Sequence, residues 1–444
     1  MTTNMNNSQL EQAAEIALQQ ATLQGASAAE VGVSHSTGLS VTVRQGDVET
    51  LEHNNDKGLG ITVYFGQTKA SASTSDLRPD AIADAVKAAC GIAQHTQADQ
   101  YAGLADANLM ATAFPDLSLY HPWALSADQA IELAMECEQA GFDLDSRINN
   151  SEGATVSSHQ GGRIYANSHG FIGSTVSTRH SLSSTLIADD ERGMQRDYWY
   201  DIKRDAADLE SALTIGQRAA ENTVRRLNAK KVATGTYPVI FAAEIAPSLF
   251  RQFTSAIRGG ALYRKSTFLL DHLGKQIFPE FIHIHEQPYL LKGLGSATFD
   301  GEGVATKTRN IVQEGVLQGY VLDSYSARKL DMATTANAGG VHNLTIDSGD
   351  LDFAALLKQM GTGIVVTETM GMGVNIVTGD YSQGAAGFWV ENGEIQYAID
   401  EFTIASNLKD MFMGIQAVAN DVEQRGSTRT GSVWIDKMTV AAEA

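Results

Sequence analysis

Residues 387–400 have the sequence GFWVENGEIQYAID, and this stretch decides the fold class. Two runs of alternating apolar and polar residues flank the dipeptide Asn392-Gly393. A period of two is typical of strands, and Asn-Gly supplies the two positive φ values that a tight hairpin turn requires. We therefore predict an antiparallel hairpin here.

The region around this hairpin is rich in strand patterns. The turn markers GEG, SGD and TGD separate alternating runs, a late helix is predicted over 406–422, and a final strand over 431–440. A strand followed by a helix begins at TGTYPVIFAAEIAPSLF, residues 234–250, so we place a domain boundary near residue 232. Residues 232–444 are thus predicted to form a C-terminal, mostly antiparallel β domain.

The first half of the chain repeats one order of elements: a helix, a strand meander and a helix. The predicted segments are a helix up to Gly25, strands over 30–74, a helix over 76–95, a helix over 126–141, strands over 156–188 and a helix over 205–230. Within 30–74, turns are expected at STG, QGD, NNDKG and GQ. We predict an N-terminal α+β domain at 1–120 and a middle helix-meander-helix region at 121–231. The fold class is α+β.

Composition limits the classes of function. A net charge of -20 argues against nucleic acid as a partner, since phosphates would be repelled. The first 15 residues lack the basic and apolar regions of a signal peptide, and no apolar run is long enough to cross a membrane. Cys90 and Cys137 lie on helix-like segments and are expected to be reduced and buried, so we expect a cytoplasmic protein.

The densest group of potential metal ligands is HIHE, which contains His283, His285 and Glu286. On a strand the two histidines would point the same way and Glu286 the opposite way, whereas a zinc site needs three or four ligands. We therefore favour two surface or partly buried histidines, and a metal site remains the alternative. Neither HExxH nor HExxxH occurs in the chain.

Other catalytic motifs are missing from the sequence, which has no GxSxG elbow and no P-loop. The turn FDGEG alternates acids with glycines, so Asp300 and Glu302 could bind a cation or cap a backbone donor. The simpler interpretation is a turn that needs positive φ at Gly301 and Gly303.

Longer motifs carry a family resemblance. They are GLGSATFDGEGVAT, GYVLDSYSARKLDMATTANAGG, AVANDV and GVNIVTGDYSQGAAGFWVENGEIQYAIDEFTIASNLKDMF, densest from Gly293 to Val422. Together they resemble the PmbA/TldE branch of the TldD/PmbA family. The resemblance implies large antiparallel sheets in the C-terminal domain and a heterodimer with a TldD-type subunit. That subunit carries an HExxxH zinc motif and cleaves unfolded peptides in a closed interior. Family roles include peptide-antibiotic precursor maturation and antitoxin degradation, and an older label connects the family to DNA gyrase.

The sequence departs from the zinc-bearing subunit where the zinc helix would lie. Residues 251–257 have the sequence RQFTSAI there, and STRTGSVWIDKM at 427–438 lacks the family's late cysteine ligand. We therefore expect no catalytic or metal-binding residue and no cofactor in this chain. Zinc is expected in the partner, a TldD-like zinc-bearing homologue.

The resulting hypothesis is a non-zinc subunit that completes the peptide chamber, with an unfolded peptide as substrate and no nucleic-acid or membrane partner. A homodimer of the isolated chain is left open. The residues predicted to face the peptide or the partner are Phe299, Asp300, Gly301, Glu302, Gly303, Gly371, Gly373 and Asn375. Two alternatives are an independent metal-dependent hydrolase that uses His283 and His285, and a regulatory protein that binds a toxin or gyrase.

Overall fold

The computed structural model describes residues 7–442. Residues 1–6 and 443–444 lie outside that part of the chain. Residues 1–6 begin both the predicted N-terminal domain and the segment considered for a signal peptide, and residues 443–444 end the predicted C-terminal domain. The helices are α1 (Asn7–Leu23), α2 (Pro79–Ala93), α3 (Ala127–Phe142), α4 (Ala212–Arg225), α5 (Ala246–Ala256), α6 (Gly259–Tyr263), α7 (Ser324–Lys329), α8 (Phe353–Met360) and α9 (Leu408–Met413).

The strands form three sheets. They are β1 (Ala28–Arg44), β2 (Asp47–Phe65), β3 (Thr68–Thr74), β4 (Ile148–Asn167), β5 (Ile172–Asp190), β6 (Gly193–Lys203), β7 (Gly235–Phe241), β8 (Ile284–Glu286), β9 (Arg309–Gln313), β10 (Val316–Leu317), β11 (Leu344–Ile346), β12 (Gly363–Met370), β13 (Val374–Asn375), β14 (Asp380–Glu391), β15 (Glu394–Asn407), β16 (Ile415–Val418), β17 (Thr428–Arg429) and β18 (Val433–Ala442). The predicted α+β class is confirmed.

The first six strands form one antiparallel sheet in the order β3-β2-β1-β4-β5-β6. The central pair, β1 and β4, joins the two helix-meander-helix units that the sequence predicts. Strands from 1–120 and from 121–231 therefore share a sheet, and the division between these two regions stays a prediction.

All four helices of these units cover one face of the sheet. Leu10 of α1 and Ile82 of α2 pack with Val31 of β1 in one cluster. Ala134 of α3 and Ile215 of α4 pack with Val156 of β4 in a second cluster. The other face carries hydroxyl groups that bond across neighbouring strands on β1 and β4. This alternation of an apolar and a polar face follows from the period of two in the strands.

Two predicted turns in the first unit are wrong. STG and NNDKG lie inside β1 and β2, which run through them as strands of 17 and 19 residues. Gly38 is needed there because a β-carbon would lie 2.0 Å from His159 Nδ1 and 2.4 Å from Asn54 Oδ1. Gly38 thus leaves room for side chains of the flanking strands and does not mark a turn.

The C-terminal domain is built on a seven-stranded sheet. Its path is β12-β7-β18-β15-β14-β13, and an additional pairing of β12 with β14 closes five of these strands into a ring. A second, five-stranded sheet has the order β10-β9-β8-β11-β17. Asn392 and Gly393 have φ values of 53° and 76°, which confirms the predicted hairpin between β14 and β15.

The predicted late helix over 406–422 is only partly correct. α9 ends at Met413, and β16 then pairs with β18. Ile415 and Val418 are buried in this pairing, because the apolar residues after Gly414 complete the sheet.

Cys90 on α2 and Cys137 on α3 are buried and form no disulfide with each other, as predicted. Within residues 7–442, no helix has both the length and the apolar character needed to cross a bilayer.

Candidate functional site

A cleft of about 690 Å³ lies between the hydroxyl-bearing face of the first sheet and two loops of the C-terminal domain. Its lining residues are Ser34, His35, Ser36, Gly161, Gly162, Arg163, Thr175, Ser177, Leu294, Gly295, Ser296, Ala297, Phe299, Asp300, Gly301, Ala338, Gly339, Gly340, Val341 and His342. Three of the predicted site residues, Phe299, Asp300 and Gly301, therefore lie in one cleft.

Side chains at alternate positions on β1, β4 and β5 build the sheet wall of the cleft. Ser34 pairs with Arg163, and Arg163 pairs with Thr175, so all three side chains point to the same face. Hydroxyl and guanidinium groups can bond the main chain of an extended peptide whatever its sequence. Sequence reasoning missed this wall, although the alternation of serine and threonine with apolar residues along the strands was its signal.

Asp300 holds the opposite wall together. Its side chain is 4% exposed and accepts the backbone N–H groups of Glu302 at 2.9 Å, Val304 at 3.0 Å and Ala338 at 2.9 Å. Burial raises the pKa of Asp300, and the three backbone hydrogen bonds oppose that rise. Both carboxylate oxygens are thus engaged in tying the FDGEG turn to the loop at Ala338.

Glu302 points away from the cleft, toward α7. Its carboxylate accepts the Ser324 N–H at 3.0 Å, and burial raises its pKa to about 7, with Asp300 and Asp323 adding to the rise. Nearby, Glu30 accepts hydrogen bonds from two tyrosine hydroxyls of the first sheet. The junction between sheet and C-terminal domain therefore concentrates acidic groups.

The two glycines of FDGEG have different roles. Gly303 has φ 81°, as predicted, and a β-carbon there would lie 2.9 Å from the rings of Tyr165 and Phe171. Gly301 does not have a positive φ, so that prediction is wrong. It is required because a β-carbon would lie 2.8 Å from the Ala338 carbonyl oxygen.

Phe299 belongs to an aromatic cluster beside the cleft. Its ring centroid lies 5.5 Å from that of Phe171 and 6.0 Å from that of Phe114. Gly173 on β5 lies beneath the ring, since a β-carbon there would be 2.7 Å from it. Phe299 thus packs the C-terminal domain onto the first sheet.

Gly371, Gly373 and Asn375 lie on a different surface. They occupy the exposed connection from β12 to β14, and none of them lines the cleft. Gly373 allows close strand approach, because a β-carbon would lie 1.8 Å from the Ser382 carbonyl oxygen. Met372 between them is 97% exposed. Their predicted contact with a peptide or partner stays a prediction.

The HIHE group follows the geometry expected of a strand. The rings of His283 and His285 lie 6.4 Å apart and nearly parallel, and His285 bonds Asp347 at 2.9 Å. Glu286 is 2% exposed on the opposite side, where it accepts a hydrogen bond from Arg309 at 2.7 Å. In the part of the chain that the structure describes, no three His, Cys, Asp or Glu side chains are grouped to hold a metal ion.

Three models of the PmbA/TldA metallopeptidase match successive parts of the chain: domain 1 at residues 29–93, the central domain at 120–227 and the C-terminal domain at 234–442. The chain is 52% identical to metalloprotease PmbA from Escherichia coli O157:H7, over 94% of this chain and 92% of that protein. The chain belongs to the PmbA/TldD metallopeptidase family.

Further PmbA/TldD relatives agree with this assignment. The metalloprotease PmbA homolog of Haemophilus influenzae is 50% identical over 98% of this chain and 96% of its own. A solved protein from Bacteroides thetaiotaomicron, described as a candidate modulator of DNA gyrase, has a TM-score of 0.93 at 30% identity and covers 98% of this chain and 99% of its own. TldE from Thermococcus kodakarensis has a TM-score of 0.86 at 19% identity, covering 97% and 100%, and supports the fold alone.

In this PmbA/TldD member, the segment where the resemblance places the zinc helix includes α5. Phe250 and Phe253 of this helix are fully buried in the core, and Arg251 is exposed. The Phe253 ring lies 5.2 Å from that of Phe278. Residues 251–257 offer no imidazole, thiolate or carboxylate, so they do not fit a zinc ion.

Proposed function

We propose that this chain is the non-zinc subunit of a two-chain metalloprotease. It pairs with a TldD-type homologue that carries HExxxH and the zinc ion, and it supplies part of the wall around an unfolded peptide. The carrying observation is that residues 251–257, where the resemblance calls for zinc ligands, hold no histidine, cysteine, aspartate or glutamate, and that α5 packs Phe253 from this segment into the core.

The apolar, buried face of α5 favours a structural role for this helix. A helix that had only lost its metal would keep polar residues facing a cavity, and burial of those residues would cost free energy. α5 instead buries an apolar face within the largest core cluster. The packing of α5 thus rests on apolar contacts.

The cleft supports the substrate class of the proposal. An extended peptide can be held by main-chain hydrogen bonds that do not depend on its side chains, which suits a broad range of unfolded substrates. Ser36, Arg163 and Ser177 offer such groups, and Gly339 and Gly340 leave open space beside them. Precursors of peptide antibiotics and unfolded antitoxins, in the cytoplasm, are the substrates that the family resemblance implies.

A cleavage assay with reduced, carboxymethylated casein tests this function. The pair should cleave it, and each chain alone should not. Ser177→Trp fills the cleft and should raise the KM of the pair, whereas Ser181→Trp, farther along the same face of β5 and outside the cleft, is the matched control. Cleavage by the zinc-bearing chain alone, unchanged on addition of this chain, would favour the regulatory alternative instead.

A further inference from the structure

We propose that Ser118, His121 and Asp205 form a serine-nucleophile site that accepts a small apolar acyl group from an activated ester. The site lies on the linker between α2 and α3 and on the loop after β6. It does not depend on the zinc-dependent function proposed above.

The three side chains have the connectivity of a catalytic triad. Ser118 Oγ lies 2.9 Å from His121 Nε2, and His121 Nδ1 lies 3.4 Å from Asp205 Oδ2. In such an arrangement the imidazole takes the hydroxyl proton on one nitrogen while the carboxylate orients the other. His121 Nε2 is also 3.0 Å from the Ser118 carbonyl oxygen, which accepts the Nε2–H proton whenever that nitrogen carries one.

The His121 main chain is fixed on β5 through Thr178, which is 1% exposed. The His121 N–H donates to Thr178 Oγ1 at 2.9 Å, and the Thr178 N–H donates to the Leu119 carbonyl at 2.9 Å. These bonds hold both ends of the segment between the serine and the histidine, so the two side chains keep their relative position.

Lys292 of the C-terminal domain holds the carboxylate. Its Nζ lies 2.7 Å from Asp205 Oδ2, and this hydrogen bond lowers the pKa of Asp205, with the Ala207 N–H adding to the effect. Asp205 therefore stays ionised near neutral pH and can orient the Nδ1–H tautomer of His121.

Ser118 sits in a strained conformation. Its φ is 54°, in the left-handed region that residues with a β-carbon rarely occupy. In hydrolases that carry a nucleophilic serine on a sharp turn, the backbone of that serine is also strained, and the N–H of the following residue stabilises the oxyanion. The following residue here is Leu119, whose N–H bonds no acceptor among the described residues.

A pocket of about 270 Å³ lies beside this turn. Its apolar lining comes from Phe114, Pro115, Leu117, Leu119, Val176 and Ala297, and its polar lining from Asp116, Tyr120, Ser174, Thr175 and Thr298. The volume and the apolar side of the pocket suit a short aliphatic acyl chain, and the Asp116 carboxylate at its edge disfavours an anionic one.

The chemical step is an ordinary acyl transfer. Ser118 Oγ attacks the ester carbonyl carbon as its proton moves to His121 Nε2, and the tetrahedral intermediate then expels the alcohol, which takes that proton. Water repeats the sequence on the acyl-Ser118 ester and releases the acid. The net reaction converts an ester and water into an acid and an alcohol and needs no cofactor.

The chain contains a matched control. Ser158 Oγ lies 2.9 Å from His180 Nδ1, and His180 Nε2 bonds the His121 carbonyl oxygen at 2.9 Å. This Ser–His pair has a carbonyl oxygen where the proposed site has a carboxylate. Ser158 should therefore not act as a nucleophile.

Intact-protein mass spectrometry after reaction with diisopropyl fluorophosphate, followed by peptide mapping, tests the site. We expect one adduct on Ser118 in the wild-type chain, a labelling rate about 100-fold lower in His121→Gln, and at least about tenfold lower in Asp205→Asn. Ser158→Ala should label like the wild type, and thermal melts show whether each variant is folded.

The wild-type map decides the proposal even where a variant does not fold. An unlabelled Ser118, an adduct on other serines only, or a folded His121→Gln variant that labels at the wild-type rate would overturn it. Hydrolysis of p-nitrophenyl butyrate that is lost in Ser118→Ala and kept in Ser158→Ala would support it independently.

Discussion

The guanidinium carbon of Arg425 lies 3.8 Å from the ring centroid of Trp199. The same side chain donates to the Tyr200 carbonyl oxygen at 2.8 Å and forms an ion pair with Glu423. Arg425 is 9% exposed and follows β16, whereas the two aromatic residues lie on β6. One arginine thus fastens the C-terminal domain to the edge of the first sheet.

Arg425→Ala should lower the free energy of unfolding by about 3 kcal/mol, because it removes the ring contact and leaves the Glu423 carboxylate buried without its cation. Chemical denaturation monitored by tryptophan fluorescence measures the change. The exposed Arg251→Ala is the control and should change stability by no more than about 0.5 kcal/mol. Equal effects of the two variants would show that Arg425 does not connect the domains.

Glu302 should make stability depend on pH. Its pKa rises from 4.5 to about 7 on folding, so the folded chain holds a proton that the unfolded chain releases between those values. The stability that Glu302 contributes is full below pH 4.5 and is lost as pH rises to 7. Glu302→Gln keeps an acceptor for the Ser324 N–H and cannot lose a proton.

The free energy of unfolding of Glu302→Gln, relative to the wild type, should therefore increase by about 3 kcal/mol as pH rises through this range. Urea denaturation at a series of pH values measures it. Glu280→Gln alters an exposed carboxylate and should give a flat difference. A flat difference for Glu302→Gln as well would mean that its pKa is not raised.

Gly387 on β14 is required for closure of the strand ring in the C-terminal domain. A β-carbon there would lie 1.9 Å from the Val365 carbonyl oxygen of β12, which is backbone and cannot rotate away. Gly387→Ala should destabilise the chain by about 2–3 kcal/mol in a thermal or urea melt. Gly32→Ala, with no atom within 4 Å of the added carbon, should be nearly neutral. A neutral Gly387→Ala would contradict the ring closure.

Local sequence signals account for much of the fold. Asn392-Gly393 determines its hairpin because the required backbone angles belong to those two residues. The turn predicted at Gly38 is wrong because glycine also occurs where a neighbouring side chain needs space. That side chain, His159, comes close only through the pairing of β1 with β4. Turn prediction thus fails where glycine serves packing between strands.

The cleft and the Ser118 site are harder to predict from the sequence, because their contacts join residues that are distant along the chain. Asp300 shows its buried role only when the Ala338 N–H is brought to it, and His121 meets Asp205 only across the folded middle region. Neither contact leaves a local pattern. The expectation that residues 251–257 hold no zinc ligand stays a prediction, because the resemblance supplied the register and the sequence supplied only the residues.

Native mass spectrometry of the purified chain, alone and mixed with its HExxxH-bearing homologue, tests the non-zinc subunit proposal most directly. We expect the chain alone to carry no metal and the mixture to give a one-to-one complex with a single zinc ion. A tightly held zinc ion in the isolated chain would contradict the proposal, and His283 and His285 would then be the first ligands to replace.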